Sequence, residues 1–198
     1  MTTHRLATAA LALTGAALTT FIATASAPQP QASRPASAVH RTPVELGAYL
    51  VKTMGCNDCH TPFKLGPKGP EPDTARALSG HPEGLKMPPP PALPPGPWLT
   101  MNAATNTAFA GPWGVSFAMN LTPDKETGLG DWTEEQFVQA MRTGKHQGKG
   151  RAILPPMPYQ ILGQLVPEEL KAIFAYLQSL APLKNHVPQP VDPPEAQR

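Results

Sequence analysis

Residues 55–60 read GCNDCH, and they hold both cysteines of the chain, Cys56 and Cys59, with His60 directly behind the second. Three chemistries use such a group. A structural zinc site needs four nitrogen or sulfur ligands, and the sequence offers a single CxxC with His40, His81, His146 and His186 scattered at no paired spacing. A redox-active dithiol belongs in a βαβ context, whereas this CxxC lies between a helical pattern and Pro/Gly-rich loops. The third chemistry is covalent c-type haem attachment. Thiols three residues apart on one helical turn reach the two vinyl groups on one side of a porphyrin, and the following histidine is placed to ligate the iron. The residues favour this reading, with a covalently bound haem c held by Cys56, Cys59 and His60. No cysteine remains for a disulfide, so the haem would itself staple a small, proline-rich chain.

The second axial position decides between an electron carrier and an open haem that binds ligands or catalyses. Seven methionines are present. Met54 and Met141 fall on apolar helix stripes, where methionine is more often core filler. Met87 and Met101 flank a proline-rich run, and Met119 lies in SFAMNLT. Met157, in ILPPMPYQ, is the first choice: Pro155, Pro156 and Pro158 stiffen the chain around it, which lowers the entropy lost on holding a ligand in place. Met119, Met87, His81 and His146 are the alternatives.

Three helices must position these groups. The first starts at Thr42-Pro43-Val44-Glu45, a capping box with proline at the first helical position, and carries Gly47, Leu50, Val51 and Met54 on one stripe. The second starts at Thr133 with Gln136 completing another capping box, buries Phe137, Ala140 and Met141, and stops at Gly144. The third is expected from about Pro167 to Leu180, with Glu168 and Glu169 at its positive end and Leu170, Ile173, Phe174 and Leu177 as its stripe. Val166 stands where a capping side chain would be expected. Between Thr61 and Asp131 no comparable periodicity is found, and Met87–Trp98 reads as polyproline-like. So long a connection without regular structure implies wrapping around something.

The N-terminal MTTHRLATAALALTGAALTTFIATASA has a basic start, a short apolar run and small residues at Ala25 and Ala27. Residues 1–27 therefore read as a secretory signal peptide cut after one of these alanines, with an uncleaved membrane anchor as the alternative. Residues 28–41 read as a flexible linker, 42–184 as the folded domain and 185–198 as an extended proline-rich tail. Export is independently required for thioether formation, so a periplasmic or otherwise exported location is expected. Net charge is +2, and the absence of a strongly basic run gives no reason to expect nucleic acid. Lys52, Lys64, Lys68, Lys145, Lys149 and Arg151 are candidates for steering an acidic redox partner. Asn120, Thr122, Trp113 and Trp132 are candidates for holding haem propionates, with loop capping and core packing as the alternative.

GAYLVKTMGCNDCHTPF, NLTPDKETGLGDWTEEQFVQAMRTGKH, LPPMPYQ and EELKAIFAYLQSL, in that order, resemble the class I c-type cytochromes. More narrowly, they resemble a single domain of the cytochrome c subunits of membrane alcohol and gluconate dehydrogenases, over about residues 46–182. The resemblance implies a mostly α, cytochrome c-like fold of about three helices around one haem, with long Pro/Gly-rich loops. It also implies a crossing of first and last helices close at Gly47, attachment through Cys56 and Cys59, and axial ligation by His60 and Met157. The implied role is single-electron transfer without catalysis of its own, between redox partners such as a dehydrogenase, an oxidase or another cytochrome, with any membrane association arising through a partner or an uncleaved N-terminus. The alternatives are a haem-bearing subunit of a dehydrogenase or oxidase complex, and an open-site haem enzyme or sensor.

Overall fold

The computed structural model describes residues 41–90 and 97–193. The expected signal peptide, almost all of the expected linker, half of the proline-rich run and the last five residues of the tail lie outside the described residues.

The first helix, α1, spans Pro43–Thr53. Thr42 caps it reciprocally with Glu45, whose Oε2 accepts the Thr42 N–H at 2.8 Å, and Gly47, Leu50 and Val51 are buried. Gly55, at φ 72°, breaks the chain into a left-handed turn before α2, the single turn Cys56–His60. Helix α3, Glu134–Thr143, is capped by Thr133 with Gln136, buries Phe137, Ala140 and Met141, and ends in left-handed Gly144. A four-residue α4, Tyr159–Leu162, follows the Met157 loop. Helix α5, Pro167–Gln178, buries Leu170, Ile173, Phe174 and Leu177. At its start Glu169 Oε2 accepts the Val166 N–H at 3.0 Å, so the carboxylate half of a capping box forms although valine cannot supply the other half. The largest helix interface is α1 on α5. It is as close as expected at Gly47, where a Cβ would overlap the Ala172 carbonyl.

The expectation of a mostly helical fold is corrected to a mixed α/β one. Between Thr61 and Asp131 the described residues form five short strands: β1 (Phe63–Gly66) and β2 (Gly69–Pro72) make a hairpin, and β3 (Met101–Asn102), β4 (Ala108–Gly111) and β5 (Gly114–Phe117) make an antiparallel sheet in that order. Their physical signal is weak, because strands of two to four residues are too short to show an alternating pattern. Several of their positions are glycine or proline, which ordinarily disfavour strands. They are held by tertiary bonds. Phe63 N donates to Thr105 O at 2.9 Å, which ties β1 to the turn between β3 and β4, and Asn106 Nδ2 donates to Asp58 O at 2.7 Å, which ties that turn to α2.

The chain after α5 runs extended but is not free. Asn185 is buried and its Nδ2 donates to the carbonyls of Ser79 and His81, while Val115 and Val191 exchange backbone bonds at 2.8 and 2.9 Å. No helix among the described residues is long and apolar enough to cross a membrane.

Candidate functional site

One cleft of about 370 Å³ runs between the helices and the sheet, within the size range of cofactor pockets. Cys56, Cys59, His60 and Met157 all line it. The CxxCH turn supplies one wall because Gly55 ends α1 and restarts the helix, placing both thiols on a single turn. Apolar side chains supply most of the rest: Phe137 and Met141 from α3, Ile173 and Leu177 from α5, and Phe109 and Phe117 from the sheet. Such a lining excludes water and suits a flat, largely apolar ligand with few polar contacts.

His60 is buried, and its Nδ1 lies 2.8 Å from the Met119 carbonyl oxygen. A carbonyl only accepts, so Nδ1 carries the proton and Nε2 presents its lone pair; among the described residues Nε2 has no hydrogen-bond partner. Burial holds the imidazole below its ordinary pKa, opposed by the Met119 bond, so the ring is neutral at pH 7. A neutral, oriented imidazole with one free nitrogen is the form in which histidine binds a metal, and the carbonyl behind it is the outer contact that fixes the ring. The ring's backbone is fixed as well, since Gly80 N donates to His60 O at 2.8 Å. Gly80 takes φ 79°, and a Cβ there would strike the Ala118 and Met119 carbonyls. Gly80 is thus a site-forming residue that sequence reading missed; the dipeptide Gly80-His81 looks like any loop until the approach of residues 118–119 is seen.

The thiols behave differently from those of a redox dithiol. Burial pushes Cys56 up to about 11, and burial with the neighbouring Asp58 carboxylate raises Cys59. Catalytic dithiols lower the pKa of the attacking sulfur; here both are neutral thiols facing an apolar cleft.

Met157 is half-buried and packs on the core. Its loop is suspended from the end of α3. Ile153 N donates to Gly144 O at 2.7 Å, and the Tyr159 ring fills the space where Gly144 lacks a side chain. Arg142 Nη2 donates to Leu165 O at 2.7 Å and Nη1 to Gly163 O, closing the turn beyond α4.

Of the alternatives for the second ligand, Met119 and His146 share the cleft with Met157, and His81 and Met87 do not. Met119 lines the cleft but contributes its carbonyl to His60. His81 is wholly buried, with Nδ1 2.9 Å from Thr107 Oγ1 and Nε2 2.9 Å from Leu85 O, so neither nitrogen is free. Met87 is not among the lining residues, whereas His146 is, with its ring edge-on to Trp132 at 4.8 Å. Of the four propionate candidates only Trp132 reaches the cleft. Asn120 and Thr122 are buried and committed to the loop and the chain after α5: Asn120 Nδ2 donates to Leu183 O at 2.7 Å, and Thr122 Oγ1 accepts from Leu183 N at 3.0 Å. Arg151, considered from sequence only as a steering charge, also lines the cleft.

Comparison with curated proteins gives the same direction. The chain is 29% identical over 151 residues to the fructose dehydrogenase cytochrome subunit of Gluconobacter japonicus, covering 76% of this chain and 24% of that protein. It is 34% identical over 133 residues to the cytochrome c subunit of a quinone alcohol dehydrogenase from Gluconobacter oxydans strain 621H, covering 67% and 20%. It is 37% identical over 76 residues to the gluconate 2-dehydrogenase cytochrome c subunit of Pantoea cypripedii, covering 38% and 17%. The chain resembles dehydrogenase cytochrome c subunits. It spans about a quarter or less of the length of these cytochrome subunits. No family model matches the chain.

Proposed function

We propose that the chain is a monohaem c-type cytochrome of cytochrome c-like fold that carries single electrons outside the cytoplasm, to or from a redox partner such as a dehydrogenase, an oxidase or another cytochrome. The observation that carries this reading is the setting of His60, a neutral imidazole whose Nδ1 is tied to Met119 O and whose Nε2 is left for a metal, in the cleft that both thiols and Met157 also line.

In this reading Cys56 and Cys59 would hold the cofactor covalently on α2, through thioethers whose formation adds S–H across a double bond and releases nothing. Haem bound there supplies one-electron chemistry between ferric and ferrous iron. His60 and Met157 would be the residues that hold the iron, so the protein would not need to rearrange between oxidation states. A thioether ligand and an apolar lining both disfavour the more positive ferric state and raise the reduction potential. Arg151, Trp132 and His146 lie where the cleft offers polar groups and are the residues proposed to meet the propionates.

The ferric absorption spectrum of the haem-loaded protein tests the reading. The weak far-red charge-transfer band of methionine-ligated haem should be present, and imidazole or cyanide should bind slowly. A high-spin spectrum that responds at once to added ligand would instead establish an open-site haem enzyme or sensor. Co-purification with a catalytic subunit would distinguish a complex subunit from a free carrier.

A further inference from the structure

The loop bearing Met157 is hung from α3 at its two ends, but the stretch 155–158 between them has few hydrogen bonds with which to fix its own place. Pro155, Pro156 and Pro158 have no N–H, so the one backbone donor in 155–158 is Met157 N, and it is used locally on Leu154 O at 3.3 Å. The bonds this segment accepts from downstream are local as well: Tyr159 N reaches Met157 O, and Ile161 N and Leu162 N reach Pro158 O. Proline stiffness sets the shape of such a loop, not where the loop lies.

Among the described residues, one hydrogen bond comes to this segment from another element. Ser116 Oγ, on β5, donates to Pro155 O at 2.5 Å. The same hydroxyl lies 3.4 Å from the Phe109 carbonyl oxygen, a longer contact than the one to Pro155, and its oxygen accepts from Trp113 Nε1 at 3.3 Å. Ser116 is buried and lines the same cleft as Met157. The strand beneath it is anchored on both sides, to Phe109 on β4 by register and at Val115 by the paired bonds with Val191. The serine therefore extends from a braced surface to a stretch, residues 155–158, that receives no other hydrogen bond from another element among the described residues, the loop being otherwise hung from α3 at its two ends.

We propose that Ser116 is a positioning residue that holds the Met157 loop in place, so that the sheet controls how readily the methionine yields its position to an incoming ligand. This rests on the ligation by Met157 proposed above.

The test uses the haem-loaded ferric protein and its S116A, S116T and M157A variants, with imidazole as the probe. S116A should keep the far-red band at neutral pH and bind imidazole about fivefold faster, the worth of one net hydrogen bond. S116T, which keeps the hydroxyl, should restore a rate near that of the parent. A parental rate in S116A, or equal acceleration in S116A and S116T, would overturn the tether, the second outcome assigning the effect to packing. If S116A does not load haem, S116C, whose thiol is a weaker donor, is read instead: intermediate acceleration supports the tether and a parental rate overturns it. M157A separates the two levels. Loss of its far-red band with an unchanged rate in S116A rejects the tether alone, whereas persistence of the band in M157A rejects Met157 ligation and the tether with it.

Discussion

His60 shows how few atoms specify the site. Its Nδ1 is committed to the Met119 carbonyl and its Nε2 is free, so side-chain changes at residue 119 leave the orienting bond in place. Met119→Ala should therefore retain the far-red band and a parental midpoint potential to within the small change expected from lost packing. Met157→Ala should abolish the band, produce high-spin ferric haem and lower the potential; optical redox titration of the two variants reads both outcomes. Gly80 belongs to the same group of atoms. Its positive φ and the nearby carbonyls leave no room for a side chain, so Gly80→Ala would push residues 118–119 off the histidine and should weaken haem retention as well as stability.

Among the elements, the α1–α5 crossing and the β3–β5 sheet play different parts. The helix crossing is the frame, and its closeness depends on a bare α-carbon at Gly47 facing the Ala172 carbonyl and the Tyr176 Cβ. Gly47→Val should cost about 3 kcal/mol, the upper end for overpacking a core, because backbone rather than a flexible side chain stands in the way. Denaturant unfolding of the haem-loaded protein would measure it. Capping boxes and apolar stripes made α1, α3 and α5 readable, with their burial as expected. The sheet was not readable. Its strands are short, and what stabilises them lies far away in sequence, at Asp58, at Val191 and at the bond from Ser116 to Pro155.

For the molecule as a whole, two electrostatic consequences follow. His81 donates from Nε2 to the Leu85 carbonyl and accepts at Nδ1 from Thr107, and the Phe117 ring lies 4.9 Å from it. Burial holds it below the ordinary imidazole pKa, and burial with the Arg151 charge does the same for His146. When the folded pKa is depressed, the unfolded chain binds more protons, so stability is unaffected above about pH 6.5 and falls as the pH drops below it. Denaturant midpoints measured between pH 8 and pH 5 should show this fall, and His81→Gln should reduce its slope. The second consequence concerns the charges beside the cleft. Lys145, Lys149 and Arg151 are exposed and form no ion pair among the described residues, whereas Lys64 is paired with Asp73 at 3.4 Å. Electron transfer with an acidic partner should slow as salt is raised to about 0.15 M, where screening sets in within about 8 Å. Replacing Lys145 and Lys149 by glutamine should weaken that dependence in stopped-flow measurements, without touching Arg151 in the cleft.

Cys56, Cys59 and His60 were legible without coordinates because attachment chemistry needs them within one helical turn, and local spacing is what a sequence records directly. The same holds for the three long helices, whose caps and stripes act over three or four residues. Met157 could be singled out for the prolines around it, but its presence in the cleft of His60 goes with contacts of its loop to Gly144 and Ser116, which are distant in sequence or belong to other elements. The carbonyl of Met119 behind His60, the commitment of Asn120 and Thr122 to the loop and the chain after α5, and the arrival of Arg151 at the cleft have no sequence signature. A backbone carbonyl looks the same at every position, and a polar side chain finds its partner only once long-range packing has chosen which groups are left to satisfy.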